Sequence, residues 1–539
     1  MINRARVRES ANILTRFAVP LGLAILAIVC AFWPPIRWAE WLLLPLLGMA
    51  VWDFLQRRHT LRRNYPLLSR VRWAMEDLRP YLRSYVVEGD LEGRPFSHDQ
   101  RELVYARAKG ELDSHPFGTE LDVYSDEYEW LAHSIVPNAS APKQWRLKIG
   151  STQCTRPYDA SLLNISAMSF GSMSANAIMA LNAGAKAGDF YHDTGEGGIS
   201  RYHREHGGDL VWQIASGYFG CRDAEGRFDP QRFADTAQGD QVRMIEIKLS
   251  QGAKPGHGGV LPGAKVTHEI AAARGVPQGT DCISPPAHAT FSTPVQLLEW
   301  AARLRELSGG KPVGIKLCIG KPHELFALVK AMLETGIRLD FIVVDGAEGG
   351  TGAAPVELSN SVGMPMREGL LLVRNALVGA GLKQDIRIAS AGKVHSGAGM
   401  AMAFGMGADW CNAARAFMFA LGCIQSMRCH DDTCPTGVAT QDASRQRGLV
   451  VPDKAERVAR FQRQTLAGLR EIVVAMGLDN PWQIRPEYIS ERLNSARADS
   501  IDRIHPFLAE GALLADADAT PYARYWRAAR AETFRAVPA

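Results

Sequence analysis

The clearest fold signal in the chain is the segment Lys311–Gly350, KPVGIKLCIGKPHELFALVKAMLETGIRLDFIVVDGAEGG. It begins with a short apolar run at Val313–Cys318 and ends with a second one at Phe341–Asp345. Between them, Glu324–Leu333 carries apolar residues at helical spacing. A strand, a helix and a strand in this order form the unit from which parallel sheets and barrels are built. The stretch therefore predicts one βαβ unit.

The same alternation continues on both sides of this unit, from residue 154 to about residue 443. A second amphipathic helix is predicted at Pro294–Leu307, and such helices would pack on the outside of the strands. Eight βα units are typical of an α/β TIM barrel, whose active site lies at the carboxyl ends of the strands. The predicted strands are Leu162–Met168, Asp189–His192, Leu210–Ala215, Met244–Lys248, Val313–Cys318, Phe341–Asp345, Ile386–Ala389 and Asp409–Ala413.

The remaining segments have a different texture. Residues 64–153 are charged and Arg-rich, which suggests a helical connector, and residues 444–539 predict a helical C-terminal extension. The whole chain has 539 residues, 46% hydrophobic and 22% charged, the balance of a folded protein. Its net charge is only +4, and no long basic block follows residue 63, so nucleic acid is not expected as a partner.

The N-terminus predicts a transmembrane helical hairpin over residues 1–63. Phe17–Ile36 is a 20-residue stretch without a charge, and a second apolar stretch, Trp38–Leu55, follows the Pro34-Pro35 break. Both flanks are basic, so the positive-inside rule predicts a membrane protein with its catalytic domain in the cytoplasm. A cleaved signal peptide and two buried core helices are the alternatives. The flanking arginines are Arg4, Arg6, Arg8 and Arg16 before the hairpin and Arg57, Arg58, Arg62 and Arg63 after it.

Three cysteines lie within twelve residues, at Cys423, Cys429 and Cys434, and Pro435 follows the last one. In a cytoplasmic domain such thiols are free or bind metals. No fourth cysteine falls in this loop, so three thiolates favour a three-iron cluster over a four-iron cubane. The alternatives are a zinc site with His430 as the fourth ligand and three thiols that only pack.

The segment around these cysteines, CIQSMRCHDDTCPTGVATQD, resembles the cluster-binding signature of glutamate synthases. Upstream segments resemble further motifs of that family in the same order, and the resemblance covers about residues 165–442. It implies a barrel that holds FMN close to a three-iron, four-sulfur (3Fe-4S) cluster. The upstream motifs are ISAMSFGSMS, DTGEGGIS, IASGYFG, IKLSQGAKPGHGGVLPGAKV, ISPPAHATFST and GAEGGTGAAP.

Several residues suit the FMN that the resemblance implies. Barrels hold phosphate in the loops after their last two strands, which here contain Gly392-Lys393 and Ala414-Arg415. Lys316 ends the fifth strand, where we expect apolar neighbours from the strands. It would place a cation near the flavin N1–C2 edge, unless it is only solvated. The glycine-rich loop after the sixth strand would approach the cofactor closely or form an ordinary turn. The residues expected to bind FMN are Met168, Ser169, Lys316, Gly350, Thr351, Gly352, Gly392, Lys393, Ala414 and Arg415.

A dicarboxylate substrate requires cations, and Lys248, Lys254 and Arg274 follow the fourth strand. By resemblance, Lys254, Arg274, Ser216 and Glu196 fall on positions that contact 2-oxoglutarate or its imine, with Glu196, Lys248 and Lys254 as the catalytic groups. The sequence departs from the family pattern at three positions, and the keto-acid could therefore differ. The departures are Tyr218 in place of Arg, His257 in place of Glu, and Val260 in place of Gln.

The resemblance implies reductive amination of 2-oxoglutarate, or a similar keto-acid, to L-glutamate. No glutaminase segment is recognised, so the ammonia is expected from solution or from a partner. Electrons would come from a protein donor, either a ferredoxin or an NAD(P)H-dependent reductase. Two alternatives remain open at this point. One is an N-methylglutamate synthase-like enzyme that uses an amine, and the other is a non-catalytic membrane redox or electron-transfer protein.

Overall fold

A computed structural model describes the backbone of residues 2–538 and the side chains of residues 17–538. The chain divides into two compact units, Met1–Gly93 and Arg94–Ala539. This division does not coincide with the boundaries predicted at residues 63 and 153. The second unit contains the whole barrel together with residues 94–153.

Eight parallel strands close into a barrel in the second unit, and β8 pairs with β1 to complete the ring. The α/β barrel predicted from the sequence is confirmed, and each predicted strand overlaps one of the eight. The strands are β1 Leu163–Ile165, β2 His192–Asp193, β3 Leu210–Ile214, β4 Val242–Lys248, β5 Val313–Leu317, β6 Phe341–Asp345, β7 Arg387–Ala391 and β8 Trp410–Ala413.

The barrel strands are buried on both faces, because the helices cover them outside and side chains fill the inside. All five residues of β3 are buried. The predicted helix Pro294–Leu307 begins at its capping residue Thr293, whose hydroxyl accepts a hydrogen bond from the Gln296 amide. The main helices around the barrel are Ala175–Gly188, Pro230–Ala237, Pro294–Leu307, Pro322–Thr335, Met366–Gly379, Gly397–Gly405 and Arg415–Leu421.

One strand boundary differs for a visible reason. The second strand was predicted from Asp189, but β2 begins only at His192. Asp189 instead caps the preceding helix with a left-handed backbone, φ 54°. The helix end therefore extends into the segment that hydrophobicity alone had assigned to the strand.

The segment 94–153 is not a helical connector. It contains one long helix, His98–Lys109, and two strands, Glu129–Leu131 and Arg146–Ile149. Arg146–Ile149 pairs with Tyr158–Ser161 just before the barrel begins.

The C-terminal extension is also only partly helical. Its long helix, Val451–Ala475, confirms the predicted periodicity, but a hairpin of Ile489–Asn494 and Arg497–Ser500 follows. This hairpin pairs with Glu129–Leu131 to form a three-stranded sheet. Arg367 forms ion pairs with Glu129 and Glu491, one on each of two neighbouring strands, and so stabilises a pairing between distant segments. Such long-range pairing leaves no mark in local periodicity.

The first unit consists of helices: Ile2–Phe32, Pro34–Ala39, Glu40–Leu55, Thr60–Asn64, Arg70–Leu82 and the π-helical turn Arg83–Val87. Pro34–Leu55 is long and apolar enough to cross a membrane, and Phe17–Phe32 is a shorter apolar helix. The rings of Phe17 and Phe54 lie 5.1 Å apart, so the chain returns beside its starting point. The side chains of the first arginine flank, up to Arg16, lie outside the described residues.

Candidate active site

The polar side chains of the second unit converge at the carboxyl ends of the barrel strands. Lys248 is the last residue of β4, and its ammonium group donates to the Glu196 carboxylate at 2.9 Å and to the Gln251 side chain at 2.6 Å. Glu196 lies in the loop after β2. Burial by itself would raise the pKa of Glu196, but the neighbouring cations, Lys248 first among them, bring this pKa below its ordinary value. Glu196 is therefore an ionised carboxylate.

Two further cations act on this carboxylate, Arg274 and Lys254. Burial lowers the pKa of Lys254 to about 8, and its ammonium group donates to the Ala353 carbonyl at 3.1 Å. Arg274 is buried and donates to the Phe170 carbonyl at 3.1 Å, while its Nε has no partner among the described residues. The structure thus brings together all three predicted substrate cations around Glu196. A buried guanidinium with an unused donor is suited to an anionic ligand.

The loop that carries Val260 passes directly over Glu196. A Cβ atom added at Gly259 would lie 1.6 Å from the Glu196 carboxylate oxygen Oε1, so a side chain there would displace this carboxylate. At Gly197 a Cβ atom would lie 2.7 Å from Arg274 Nη2 and would displace the guanidinium. These two glycines allow the backbone to approach the charged groups and restrict the volume above them.

The departure at Tyr218 has a definite structural role. Tyr218 is buried with φ 47°, and its hydroxyl accepts hydrogen bonds from the amides of Ala289 and Thr290 at 2.9 and 3.2 Å. His288 contacts the same hydroxyl at 3.3 Å and reaches the Lys248 carbonyl at 2.9 Å. Burial lowers the pKa of His288 to about 4, so the ring is neutral. Tyr218 thus fixes the 288–290 loop and adds no cation.

Ser216 and His257 lie at the edges of this region. The Ser216 hydroxyl donates to the Pro285 carbonyl, which joins the loop after β3 to the loop that carries His288. His257 is exposed, and its Nδ1 lies 2.8 Å from the Gly258 carbonyl. Ser216 therefore belongs to the wall of the site, whereas His257 faces outward.

Lys316 lies inside the barrel in surroundings that differ from the prediction. We expected apolar neighbours, but its Nζ lies 3.9 Å from the Asp345 carboxylate and 3.4 Å from the Ser166 hydroxyl. Burial alone would lower the pKa of Lys316, but nearby carboxyl groups raise it above its ordinary value. Lys316 is therefore charged, and acids stabilise it there.

Sequence reasoning missed a buried pair of carboxyl groups, Asp193 at the end of β2 and Glu246 in β4. Burial, followed by the repulsion of Glu246, raises the pKa of Asp193 well above its ordinary value. Burial also raises the pKa of Glu246, whose Oε1 accepts a hydrogen bond from Gln213 at 2.6 Å. Burial therefore favours the protonated form of each carboxyl group, and the charge of Lys316 opposes it. A charged residue inside an otherwise apolar predicted strand was the signal that could have identified Glu246.

The loops after β7 and β8 form a second positive region. Burial, followed by the repulsion of Arg415, lowers the pKa of Lys393, and burial likewise lowers the pKa of Arg415. Arg415 donates to the Glu348 carbonyl, and a Cβ atom added at Gly350 would lie 2.8 Å from Arg415 Cδ. The half-buried Arg415 and the exposed Lys393 at the end of a barrel suit a phosphate group.

The remaining residues predicted to bind the cofactor take different positions. Met168 and Ser169 are buried beside the Gly195 turn, where a Cβ atom would lie 2.9 Å from the Ser169 amide. Gly392 lies close to Met366 and to Glu348, whereas Gly352 has open space around it. Thr351 is exposed, and Ala414 precedes the helix Arg415–Leu421. The structure therefore brings Gly350, Gly392, Lys393 and Arg415 together and leaves Thr351 and Gly352 at the rim.

The three predicted metal ligands lie in one loop of the second unit. Burial raises the pKa of the Cys423 thiol to about 12, and the charges of Cys429 and Cys434 add to this. The Tyr105 hydroxyl donates to the Cys423 carbonyl at 2.6 Å. Over residues 17–538, no three His, Cys, Asp or Glu side chains are grouped as metal ligands.

Lys265 is a second residue that sequence reasoning missed. It is buried, and its ammonium group donates to the carbonyls of Ser172, Cys429 and Ala439 at 2.9, 3.1 and 2.9 Å. These contacts join the GAKV segment to the loop after β1, to Cys429 and to the segment that follows Cys434. The lysine belongs to one of the motifs quoted above, and this was the signal that could have identified it. Its partners could not be predicted, because they are backbone carbonyls.

A closed parallel barrel with convergent charges at its carboxyl ends defines a barrel enzyme. A family model described as a conserved region in glutamate synthase matches residues 139–479, and the chain belongs to this family. The glutamate synthase-like resemblance stated from the motifs is thereby confirmed, and the protein is an oxidoreductase of the class that acts on CH–NH2 donors.

The relatives differ in how much of their length this chain covers. The glutamate synthase large subunit-like protein YerD of Bacillus subtilis (strain 168) is 35% identical over 503 residues, 85% of this chain and 94% of the relative. The archaeal-type glutamate synthase (NADPH) of Thermotoga neapolitana is 35% identical over 314 residues, 58% of this chain and 59% of its own length. Among solved structures, a mandelate oxidase has 14% identity and a TM-score of 0.40 over 66% of this chain and 85% of its own.

Proposed function

We propose that this protein catalyses the reductive amination of 2-oxoglutarate, or a closely related keto-acid, to L-glutamate with free ammonia. The observation that carries the proposal is the group of three cations around the ionised Glu196 at the carboxyl end of the barrel, in a chain of the glutamate synthase family. A dicarboxylate requires at least two cations, and the reaction requires an additional group that exchanges protons.

The chain's own residues have separable roles in this proposal. Arg274, with its unused Nε donor, and Lys254 bind the carboxylates of the keto-acid. Glu196, as an ionised carboxylate, would bind the ammonium ion beside the keto-acid. The neutral ammonia in equilibrium with it adds to the keto carbon, and loss of water from this adduct gives the imine. Lys248 keeps Glu196 ionised and fixes its orientation through the 2.9 Å hydrogen bond. The glycines at 197 and 259 let the backbone approach these charged groups.

FMN fits the residues at the end of the barrel. Lys393 and Arg415 would bind its phosphate, with Gly350 and Gly392 lining the loops, and Met168 and Ser169 would lie beside the ring. Lys316, held charged by the carboxyl groups inside the barrel, would face the flavin's polar edge. When bound, FMN supplies the hydride that reduces the imine carbon.

Cys423, Cys429 and Cys434 would hold a 3Fe-4S cluster, which when bound supplies single electrons. Their place within twelve residues of one loop supports this proposal. The electron donor would be a ferredoxin or an NAD(P)H-dependent reductase.

The decisive experiment is a reoxidation assay. The purified protein's flavin is reduced anaerobically with dithionite, and its absorbance is followed after addition of 2-oxoglutarate with ammonium. We expect rapid reoxidation and one L-glutamate per flavin. If no combination of keto-acid and amine reoxidises the flavin, the proposed reaction is refuted and the non-catalytic redox protein remains.

Tyr218 favours one variant of the reaction. Because this side chain binds the 288–290 loop and adds no cation, the wall near Ser216 is less polar than the family pattern predicts. A methylated amine would be better accommodated by such a wall than by an arginine. Replacing ammonium by methylamine in the same assay therefore tests an N-methylglutamate synthase-like activity, with faster turnover by methylamine as its expected outcome.

We also propose that the apolar helices of the first unit anchor the protein in a membrane, with the barrel in the cytoplasm. Pro34–Leu55 is long enough to span, and large apolar side chains such as Phe32, Trp41 and Leu42 are exposed. Such exposure is costly in water. Membranes containing the protein are washed with alkaline carbonate, and we expect it to stay in the pellet. Release into the supernatant would disprove the anchor.

A further inference from the structure

A stripe of exposed apolar side chains follows the apolar helices of the first unit. Its members recur at spacings of three and four residues, and those within the helix Arg70–Leu82 share one of its sides. Leu68 and Val86 continue the spacing in the segments before and after this helix. Each is between 44% and 75% exposed. We call this set the apolar stripe: Leu68, Val71, Met75, Leu78, Leu82 and Val86.

The start of this helix is bound to the end of the apolar helix Glu40–Leu55. Arg70 donates from Nε and Nη2 to the two oxygens of Asp53 at 2.7 and 2.8 Å, and the Leu67 amide donates to the same carboxylate at 3.2 Å. Asp53 is completely buried, so a bidentate partner balances its charge. The apolar stripe therefore begins where the proposed membrane span ends.

The residues around the stripe are strongly basic. Eight arginines lie between residues 57 and 83, and only two acids, Glu76 and Asp77, lie in the same range. Arg62 stacks on the ring of Trp73 at 4.5 Å, which fixes one of these charges beside the helix. Basic clusters directly after a membrane span are attracted to anionic lipid headgroups. The arginines are Arg57, Arg58, Arg62, Arg63, Arg70, Arg72, Arg79 and Arg83.

We propose that residues 68–86 lie flat on the membrane surface, with the apolar stripe in the headgroup region and the arginines on anionic lipids. The proposal rests on the membrane anchor proposed above and adds a lipid-binding surface to it. An amphipathic helix with apolar and basic faces is the usual form of such a surface. Its position next to the hairpin holds it at the bilayer without additional cost in translational entropy.

A second copy of the chain is the main competing occupant, because a 3–4 spacing also occurs in coiled coils. A stable coiled coil needs about three to four heptads. The stripe spans fewer than three, Pro80 lies inside its helix, and the π-helical turn Arg83–Val87 interrupts the repeat. The geometry therefore favours a lipid surface over a helical partner.

The test uses the full chain in vesicles of phosphatidylcholine and phosphatidylglycerol. The photoreactive residue benzoylphenylalanine replaces Met75 in the stripe or, as the matched control, Glu76, which faces away from the stripe and pairs with Arg72. After irradiation, mass spectrometry identifies the adducts. We expect lipid adducts mainly from position 75, and fewer of them when the vesicles contain phosphatidylcholine alone.

Three results would overturn the proposal: equal lipid adducts from both positions, adducts from position 75 to a second copy, or adducts to residues 94–539 of the same chain. A yield that does not depend on phosphatidylglycerol would refute the role of the arginines. Carbonate extraction of the same samples separates the two hypotheses. If the protein stays in the membrane but position 75 gives protein adducts, the anchor stands and the surface helix fails. If it is extracted, the anchor itself fails.

A second variant tests whether the apolar stripe is responsible for lipid binding. Leu78→Glu combined with Leu82→Glu places two charges on the same side as Met75. We expect loss of most lipid adducts from position 75, while carbonate extraction still leaves the protein in the membrane. Unchanged adducts in this variant would contradict insertion of the stripe.

Discussion

Replacing Lys248 by Met tests whether the cations keep Glu196 ionised. Met is close to Lys in length but carries no charge, so the change removes the 2.9 Å ion pair with little loss of volume. The side chains of Lys248 and Glu196 are only 11% and 17% exposed, so water replaces little of the lost interaction. Breaking a buried pair by removing one partner costs about 3–5 kcal/mol. Because both groups retain some solvent contact, we expect Lys248→Met to lower the free energy of unfolding by about 3 kcal/mol.

The pH dependence gives the direction of this effect. In the wild-type protein, the pKa of Glu196 is below its ordinary value, so its contribution to stability is present above the unfolded pKa and is lost as the pH falls through the folded pKa. Without Lys248, only Arg274 and Lys254 oppose the effect of burial, so the pKa of Glu196 rises and its ionised form contributes less to stability. The destabilisation by Lys248→Met should therefore be greatest at neutral pH and smaller in acid.

Urea denaturation of the detergent-solubilised full chain measures the loss of stability at neutral pH and in acid. The matched control is the double variant Lys248→Met with Glu196→Gln, which leaves no unpaired carboxylate. We expect the double variant to recover much of the stability, because an uncompensated buried charge causes most of the penalty. If the single and double variants are equally unstable, or if the loss does not change with pH, the ion pair does not hold Glu196 in its ionised state.

Three further predictions concern the site. Arg274→Ala should raise the KM for the keto-acid by about 2–5 kcal/mol in binding free energy while FMN stays bound, and an unchanged KM would remove Arg274 from the substrate site. Because the pKa of Lys254 is about 8, affinity for a dicarboxylate should fall as the pH rises through that value. Lys254→Arg should extend tight binding to higher pH. A Kd that does not change with pH would contradict this prediction. Cys429→Ala should lose iron and sulfide but keep FMN, and iron retained in this variant would disprove the cluster assignment.

The sequence predicted the barrel because each of its strands is a local feature. Phe341–Asp345 is an apolar run ended by an acid and followed by glycines, and it was assigned to its observed bounds. The sheet that contains Glu129–Leu131 was not foreseen, since its partner Ile489–Asn494 lies more than three hundred residues away. Arg367 connects these strands from a helix of the barrel, and no local pattern records such a contact.

The residues of the charged site were predicted from their chemistry and from the motifs, but the contacts among them were not. Lys248, Lys254 and Arg274 were expected to converge, and they do so around Glu196. The surroundings of Lys316 were predicted incorrectly, because the acids near it come from other strands and the interior of a barrel combines side chains from all of them.

Lys265 has a consequence for how such proteins can diverge. An ammonium group has three hydrogen atoms, and this one gives each to a carbonyl in a different part of the chain. A substitution at Lys265 would leave three carbonyls without partners at once, so the three segments cannot be replaced independently. We expect natural variants that lack this lysine to differ also around Ser172 and in the cysteine loop. In a lineage that abandoned the cysteines, Lys265 would be free to change.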